Sequence, residues 1–301
     1  MQSSTKSYIK IAVAGGLWGT IGILVQTLTS FGLTSEMVAF SRLFLGFIIL
    51  TVIFALKDPS VLKIDRKGLF SSFVIGVISQ GIFNIAYFQA IQRVGSFTAV
   101  VLLYLSPVFM FILGTFMYKE IPDKKKIISV GICFFGCILG VTGGDFSVLQ
   151  SDFMGITMGI VASLGYSLMP ALSKKTASKY NPFTIIIYSF MFGALVLLPF
   201  ANPFAIIGEL KNPSLILLLI VFSVVVAVLP YSLYIPSLHN VQVSKLGVIA
   251  SVELIVSILI AAFILKEPIK SGNIAGASLI FLSIILMNSP SLYTRKERYQ
   301  N

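Results

Sequence analysis

Residues 36–56 read Glu36-Met37-Val38-Ala39-Phe40-Ser41-Arg42-Leu43-Phe44-Leu45-Gly46-Phe47-Ile48-Ile49-Leu50-Thr51-Val52-Ile53-Phe54-Ala55-Leu56, an apolar run holding one charge, Arg42, past its first residue. At a rise of about 1.5 Å per residue, some twenty such residues cover the roughly 30 Å of a bilayer's hydrocarbon core. Helices satisfy their own backbone in lipid, so a run of this length predicts a membrane-crossing helix. Nine further runs follow the same pattern, near 8–28, 69–91, 97–118, 127–144, 153–172, 183–200, 214–236, 244–265 and 272–288. Composition agrees: 56% of residues are hydrophobic, 11% are charged, and mean hydropathy is +0.96. A soluble domain carries about a quarter charged residues, so this chain cannot clothe a water-facing globule. The prediction is an all-α integral membrane protein of ten transmembrane helices with the lipid bilayer as its solvent.

The net charge of +11 points to topology rather than to nucleic acid, because nearly all Lys and Arg lie between the apolar runs. Alternate connections carry Lys6 and Lys10; Lys57, Lys63, Arg66 and Lys67; Lys119, Lys124, Lys125 and Lys126; Lys174, Lys175 and Lys179; Lys245; and Arg295, Lys296 and Arg298. The other connections hold only Arg93, Lys211, Lys266 and Lys270. The positive-inside rule then places both termini in the cytoplasm of a multi-pass cell-membrane protein, which requires an even number of spans. The first run lacks a small-x-small cleavage site and is followed by further spans, so it reads as a span and not as a signal peptide.

Tyr118-Lys119-Glu120 closes the fourth run, and Leu265-Lys266-Glu267 closes the ninth, 147 residues later. The same offset sets Phe116 on Phe263, Val94 on Val241, and Asn84 to Tyr87 on Tyr231 to Tyr234. Such self-similarity marks an internal repeat. The halves fall at 1–147 and 148–301, with five spans each and a short cytoplasmic tail. Five is odd, so the second half enters the membrane inverted. Inverted repeats of this kind characterise secondary transporters, with a central substrate cavity near the midplane between the halves.

Five features together resemble the EamA-type members of the drug/metabolite transporter superfamily: Gly16-Leu17-Trp18-Gly19, Phe40-Ser41-Arg42, Ser106-Pro107-Val108, Glu253, and the paired Lys-Glu ends at 119–120 and 266–267. One departure is Leu254, where the family commonly has proline after the glutamate. The resemblance implies ten helices around a central cavity and transport of amino acids, related metabolites or drugs.

Arg42 is the only basic residue well inside a span. A charge there costs at least about 2.5–3.5 kcal/mol, so it needs a counter-charge, a wet cavity, helix carbonyls or a route to the interface. Glu253 is the only acid deep in a span, suited to proton coupling, to a substrate ammonium, or to pairing with Arg42. Gln80, Asn84 and Tyr87 fall at i, i+4 and i+7 on one helical face, and their repeat mates include Tyr231 and Tyr234. Amides facing lipid would stay unpaired, so this stripe is expected to face the interior. Trp18, Tyr104 and Tyr166 are candidates for the same cavity wall. Pro107 and Pro230 remove helix hydrogen bonds and are hinge candidates, whereas Pro170 and Pro236 read as helix ends. Cys133 and Cys137 read as packing thiols within an apolar helix.

No P-loop is present, His239 is the only histidine, and no metal-ligand cluster or serine triad can be assembled. The sequence therefore calls for no cofactor, metal, ATP site or enzymatic role. The partners expected are a small-molecule substrate and possible coupling protons, in a monomer or a homodimer. The same scaffold also admits a lipid-linked carrier flippase or a non-transporting membrane scaffold.

Overall fold

The computed structural model describes residues 2–149, 151–202, 212–264, 266 and 269–288. Lys211, Leu265, Glu267, Arg295, Lys296 and Arg298 lie outside the described residues. Among those described, nine helices are long and apolar enough to cross a membrane. They are Thr5–Ser30, Ser35–Lys57, Arg66–Ser96, Thr98–Tyr118, Lys124–Thr142, Phe153–Ala177, Pro182–Ala201, Pro213–Asn240 and Val243–Ile260. A shorter apolar helix, Ser271–Met287, is the tenth. These are spans 1 to 10 below, and they make the chain a multi-pass membrane protein.

Polar side chains in the connections set where spans begin. The side chains of Thr34, Asp65, Asp123, Asp152, Asn181 and Asn212 each accept from a backbone N–H in the first turn that follows. An N-cap of this kind satisfies donors that the helix itself cannot. After Asn181 and Asn212 a proline takes the first helical position, where its missing N–H is harmless. The surface is apolar: Phe116 is 80% exposed and Phe153 87% exposed. That is the arrangement expected of a lipid-facing wall.

The two halves repeat each other down to their irregularities. Span 3 contains a π turn at Val77–Ile82, and span 8 contains one at Val224–Val228. Span 4 breaks at Tyr104 and span 9 at Ser251. Lys119 and Lys266 take left-handed backbone conformations, with φ of 52° and 55°. Each pair begins 147 residues apart. A lysine in that conformation is costly because Cβ crowds the following carbonyl. At Lys119 it lets the Glu120 N–H reach back to the Gly114 carbonyl at 3.1 Å, closing the helix end. Span 1 is not one continuous helix: it breaks after Trp18 at Gly19-Thr20. A Cβ at Gly19 would stand 2.6 Å from the Glu253 carbonyl, so glycine permits the approach of span 9.

Spans 5 and 10 pack backbone against backbone. A Cβ at Gly272 would overlap Gly143, and one at Gly276 would overlap Gly140. Small residues at i and i+4 create that groove. Proline breaks elsewhere are repaired across the halves. Pro107 has no N–H for the Leu103 carbonyl one turn earlier, and the Ser163 hydroxyl donates to it at 3.0 Å. Pro170, expected to end its helix, lies inside span 6 instead. Pro236 lies in the last turn of the Leu229–Ser237 helix.

Candidate functional site

Between the halves lies a cavity of about 390 Å³. Glu253 and Arg42 line its depth, and Ser35 and Ser96 stand at its outer end. Span 1 starts at the N-terminal face, so the head of span 2 (Ser35) and the tail of span 3 (Ser96) mark the opposite face. The cavity therefore runs from mid-membrane toward the face opposite the N-terminus.

On the N-terminal face the helices are laced together. The Glu120 carboxylate accepts from the N–H of Val243 at 2.6 Å, the N–H of Ser244 at 3.1 Å and the Ser244 hydroxyl. Tyr118 donates to the Ala171 carbonyl, and Lys174 donates to the Val241 carbonyl. The Tyr188 hydroxyl donates to the Leu62 carbonyl at 2.7 Å. At the other face the ion pairs Arg93–Asp152 (3.6 Å) and Lys270–Asp145 (3.4 Å) are solvent-exposed and stabilise weakly. One face is tied together by partly buried bonds, and the cavity extends toward the other.

Arg42 is only 8% exposed. Among the described residues its Nε has no hydrogen-bond partner, and no carboxylate lies within ion-pair distance of the guanidinium. It neither ties down helix carbonyls nor reaches the interface, the two structural roles open to it in the sequence. Arg42 and Glu253 line the same cavity without pairing to each other. Glu253 has the Tyr166 hydroxyl beside it.

Of the other expected residues, Trp18, Asn84, Tyr87, Tyr166 and Tyr231 also line the cavity. Gln80 lies behind the wall and donates through Nε2 to the Tyr231 hydroxyl at 2.7 Å. Its displacement has a local cause. The π turn at Val77–Ile82 inserts an extra residue, which rotates the helical face, so Ser79 and Phe83 line the cavity where a regular α-helix would present Gln80. Asn84 Nδ2 donates to the Gln80 carbonyl inside that turn. Tyr234 is 1% exposed and packs its ring 5.3 Å from Trp18, outside the cavity. Tyr104 faces a smaller, separate cavity that it shares with Glu253. Pro107 and Pro230 stand beside helix irregularities, at the span 4 break and just after the span 8 π turn.

Sequence reasoning missed Phe83, Phe88 and Phe222 as cavity walls, since apolar residues on apolar helices carry no signal of facing. It read Glu120 only as a repeat marker, although its charge at a span end was a signal of closure.

Ten apolar helices in two repeated halves around a cavity define a membrane transporter of the inverted-repeat class. The EamA-like transporter family matches this chain at residues 5–142 and 153–289, and the chain belongs to that family. It is 25% identical over 299 residues to the uncharacterized inner membrane transporter YicL of Salmonella typhimurium, covering 97% of this chain and 98% of YicL. It is 26% identical over 277 residues to an uncharacterized transporter of Archaeoglobus fulgidus, covering 92% and 94% of the two chains. A solved crystal structure shares the fold with a TM-score of 0.77 over 99% of both chains, at 14% identity.

Proposed function

We propose that the chain is a secondary-active exporter of a small polar metabolite, an amino acid or a related amine or drug. In this reading it works by alternating access between the halves 1–147 and 148–301. The observation that carries this is Arg42: a buried guanidinium on the wall of a 390 Å³ cavity, with no ion-pair partner among the described residues. A buried charge that serves no structural bond is explained by a ligand that brings the counter-charge. Glu253 supplies the opposite charge in the same cavity, for a ligand ammonium or for a coupling proton. The aromatic walls formed by Trp18, Tyr87, Tyr166 and Tyr231 suit the body of such a molecule. With the termini in the cytoplasm, the cavity extends outward and the latched face is the inner one.

The test is thermal stabilisation of the purified protein against amino acids, amines, sugars and nucleosides, since a ligand that binds the folded state raises its stability. A hit retained in Phe116→Ala on the lipid face and lost in Arg42→Gln and Asn84→Ala supports the reading. Hits indifferent to both cavity changes overturn it. A lipid-linked cargo would instead register as scrambling of labelled lipid in proteoliposomes.

A further inference from the structure

The breaks in spans 4 and 9, related by the repeat, meet beside Glu253. At their junction a second cavity, of about 10 Å³, is bounded by Tyr104 and Ser106 from span 4, Ser251 and Glu253 from span 9, and Tyr166 from span 6. Glu253 and Tyr166 belong to the walls of both cavities. Space on the order of 10–15 Å³ is what one water molecule needs, provided that two to four polar groups converge on it.

Such groups converge here. Tyr104 is 8% exposed and Ser106 is 4% exposed. Among the described residues neither hydroxyl makes a hydrogen bond to protein, and both residues line the small cavity. The Ser251 hydroxyl is already engaged, donating to the Gly247 carbonyl at 2.9 Å and accepting from the Cys133 thiol at 3.3 Å. Tyr104, Ser106 and the Glu253 carboxyl are left facing a volume that fits one small polar molecule. Pro107 stands at the start of the helix that follows the span 4 break, where its missing N–H is harmless.

We propose that one ordered water is a built-in part of this site, bridging Glu253 to Tyr104 and Ser106 and carrying the proton that Glu253 exchanges. The inference rests on the reading of Glu253 as the coupling group. In the transfer, the Glu253 O–H bond breaks as an O–H bond to the water forms, and the water releases one of its other protons to bulk solvent; no electrons change hands. Substrate at Arg42 approaches Glu253 from the larger cavity, and the proton reaches it from the smaller one. The titratable and charged groups around Glu253 are Arg42 from span 2, Tyr87 from span 3, Tyr104 from span 4, Cys137 from span 5, Tyr166 from span 6 and Tyr231 from span 8.

The experiment is infrared difference spectroscopy of the full chain in lipid nanodiscs, stepped between acidic and alkaline buffer, in ordinary water and in water enriched in the heavy oxygen isotope. Glu253→Gln identifies the protonated carboxyl band. Tyr104→Phe and Ser106→Ala, which remove hydroxyls and leave packing nearly intact, are expected to move that band to higher frequency. They are also expected to abolish a water O–H band sensitive to the isotope. Ser106→Ala alone carries the same expectation if the double variant fails to fold. An unmoved carboxyl band, or no isotope-sensitive band in the native protein, overturns the bridging water. Stabilisation by sodium chloride over choline chloride that disappears in Ser106→Ala also overturns it, in favour of a bound cation. Loss of no band in Glu253→Gln sinks the coupling role of Glu253 itself, with or without a water.

Discussion

The indole N–H of Trp18 donates to the backbone carbonyl of Val226 over 3.2 Å, from one half of the chain to the other. Pro230, four residues on, has no N–H to offer that carbonyl. Trp18 thus completes span 8 at the place where Pro230 opens it. Its ring also packs against Tyr231 and Tyr234 at 5.5 and 5.3 Å. Trp18→Phe is expected to lower stability by about 1–3 kcal/mol, the penalty for orphaning a buried acceptor. Pro230→Ala, which restores a backbone donor, should recover part of that loss when combined with it. Thermal melts of the two single variants and the double variant measure the coupling; strict additivity would mean that Trp18 matters only through packing.

Arg42 offers the sharpest separation of structural from functional roles. A buried charge with no ion-pair partner among the described residues costs stability, about 2.5–3.5 kcal/mol on insertion scales. Arg42→Leu is accordingly expected to leave the melting temperature unchanged or raised while ligand stabilisation vanishes. A variant that melts early yet still responds to ligand would assign the guanidinium to the scaffold.

How much of this was legible in the sequence depends on which physical signal each feature leaves. The ten spans were legible because bilayer thickness imposes a length, and the observed helices follow the expected order. The repeat was visible in side chains such as Lys119 and Lys266, and the backbone repeats it at the π turns of spans 3 and 8. The site was partly legible. Arg42, Asn84, Tyr87 and Glu253 stand out because polar groups in apolar helices need a reason. Gln80 was misplaced because a one-residue π insertion leaves no mark in composition yet turns the helix face. The break after Trp18 was equally silent, since Gly19-Thr20 inside an apolar run reads as helix until the close approach of Glu253's backbone is seen.

Outside the membrane, Asp65 carries a pH dependence whose sign is fixed by its partners. The Gly68 N–H donates to its carboxylate at 2.7 Å, and the Tyr180 hydroxyl donates at the same distance. These bonds hold Asp65 below the usual carboxylate range. A carboxyl whose folded pKa is depressed adds stability above its unfolded pKa and loses it as pH falls through the folded one. Stability should therefore decline on acidification below the ordinary aspartate range. Asp65→Asn should melt slightly lower at neutral pH and show a shallower acid slope, measured by thermal melts across pH. An identical acid slope in that variant would remove Asp65 from the account.

Glu120 is the link whose removal is expected to change which face is open. Its carboxylate holds the first two N–H groups of span 9 and the Ser244 hydroxyl, reaching them through room left by Gly114, where a Cβ would stand 2.7 Å from Oε2. These are charge-assisted bonds at a helix start, where a carboxylate also meets the positive end of the helix dipole. Glu120→Gln keeps the shape but turns one acceptor into a donor facing other donors. The expected cost is about 1–2 kcal/mol, comparable with loss of an N-cap. If the bond latches the closed face, that free energy appears as population of an opened state. Labelling by a water-soluble maleimide of a cysteine at Ser167, fully buried in span 6, should then accelerate about 5–30-fold. The background for this measurement replaces Cys133 and Cys137 with alanine, so that only the introduced thiol reports. Lower stability with unchanged labelling would make Glu120 a cap and nothing more, whereas faster labelling with intact melting of the remaining helices would identify it as the latch of the N-terminal face.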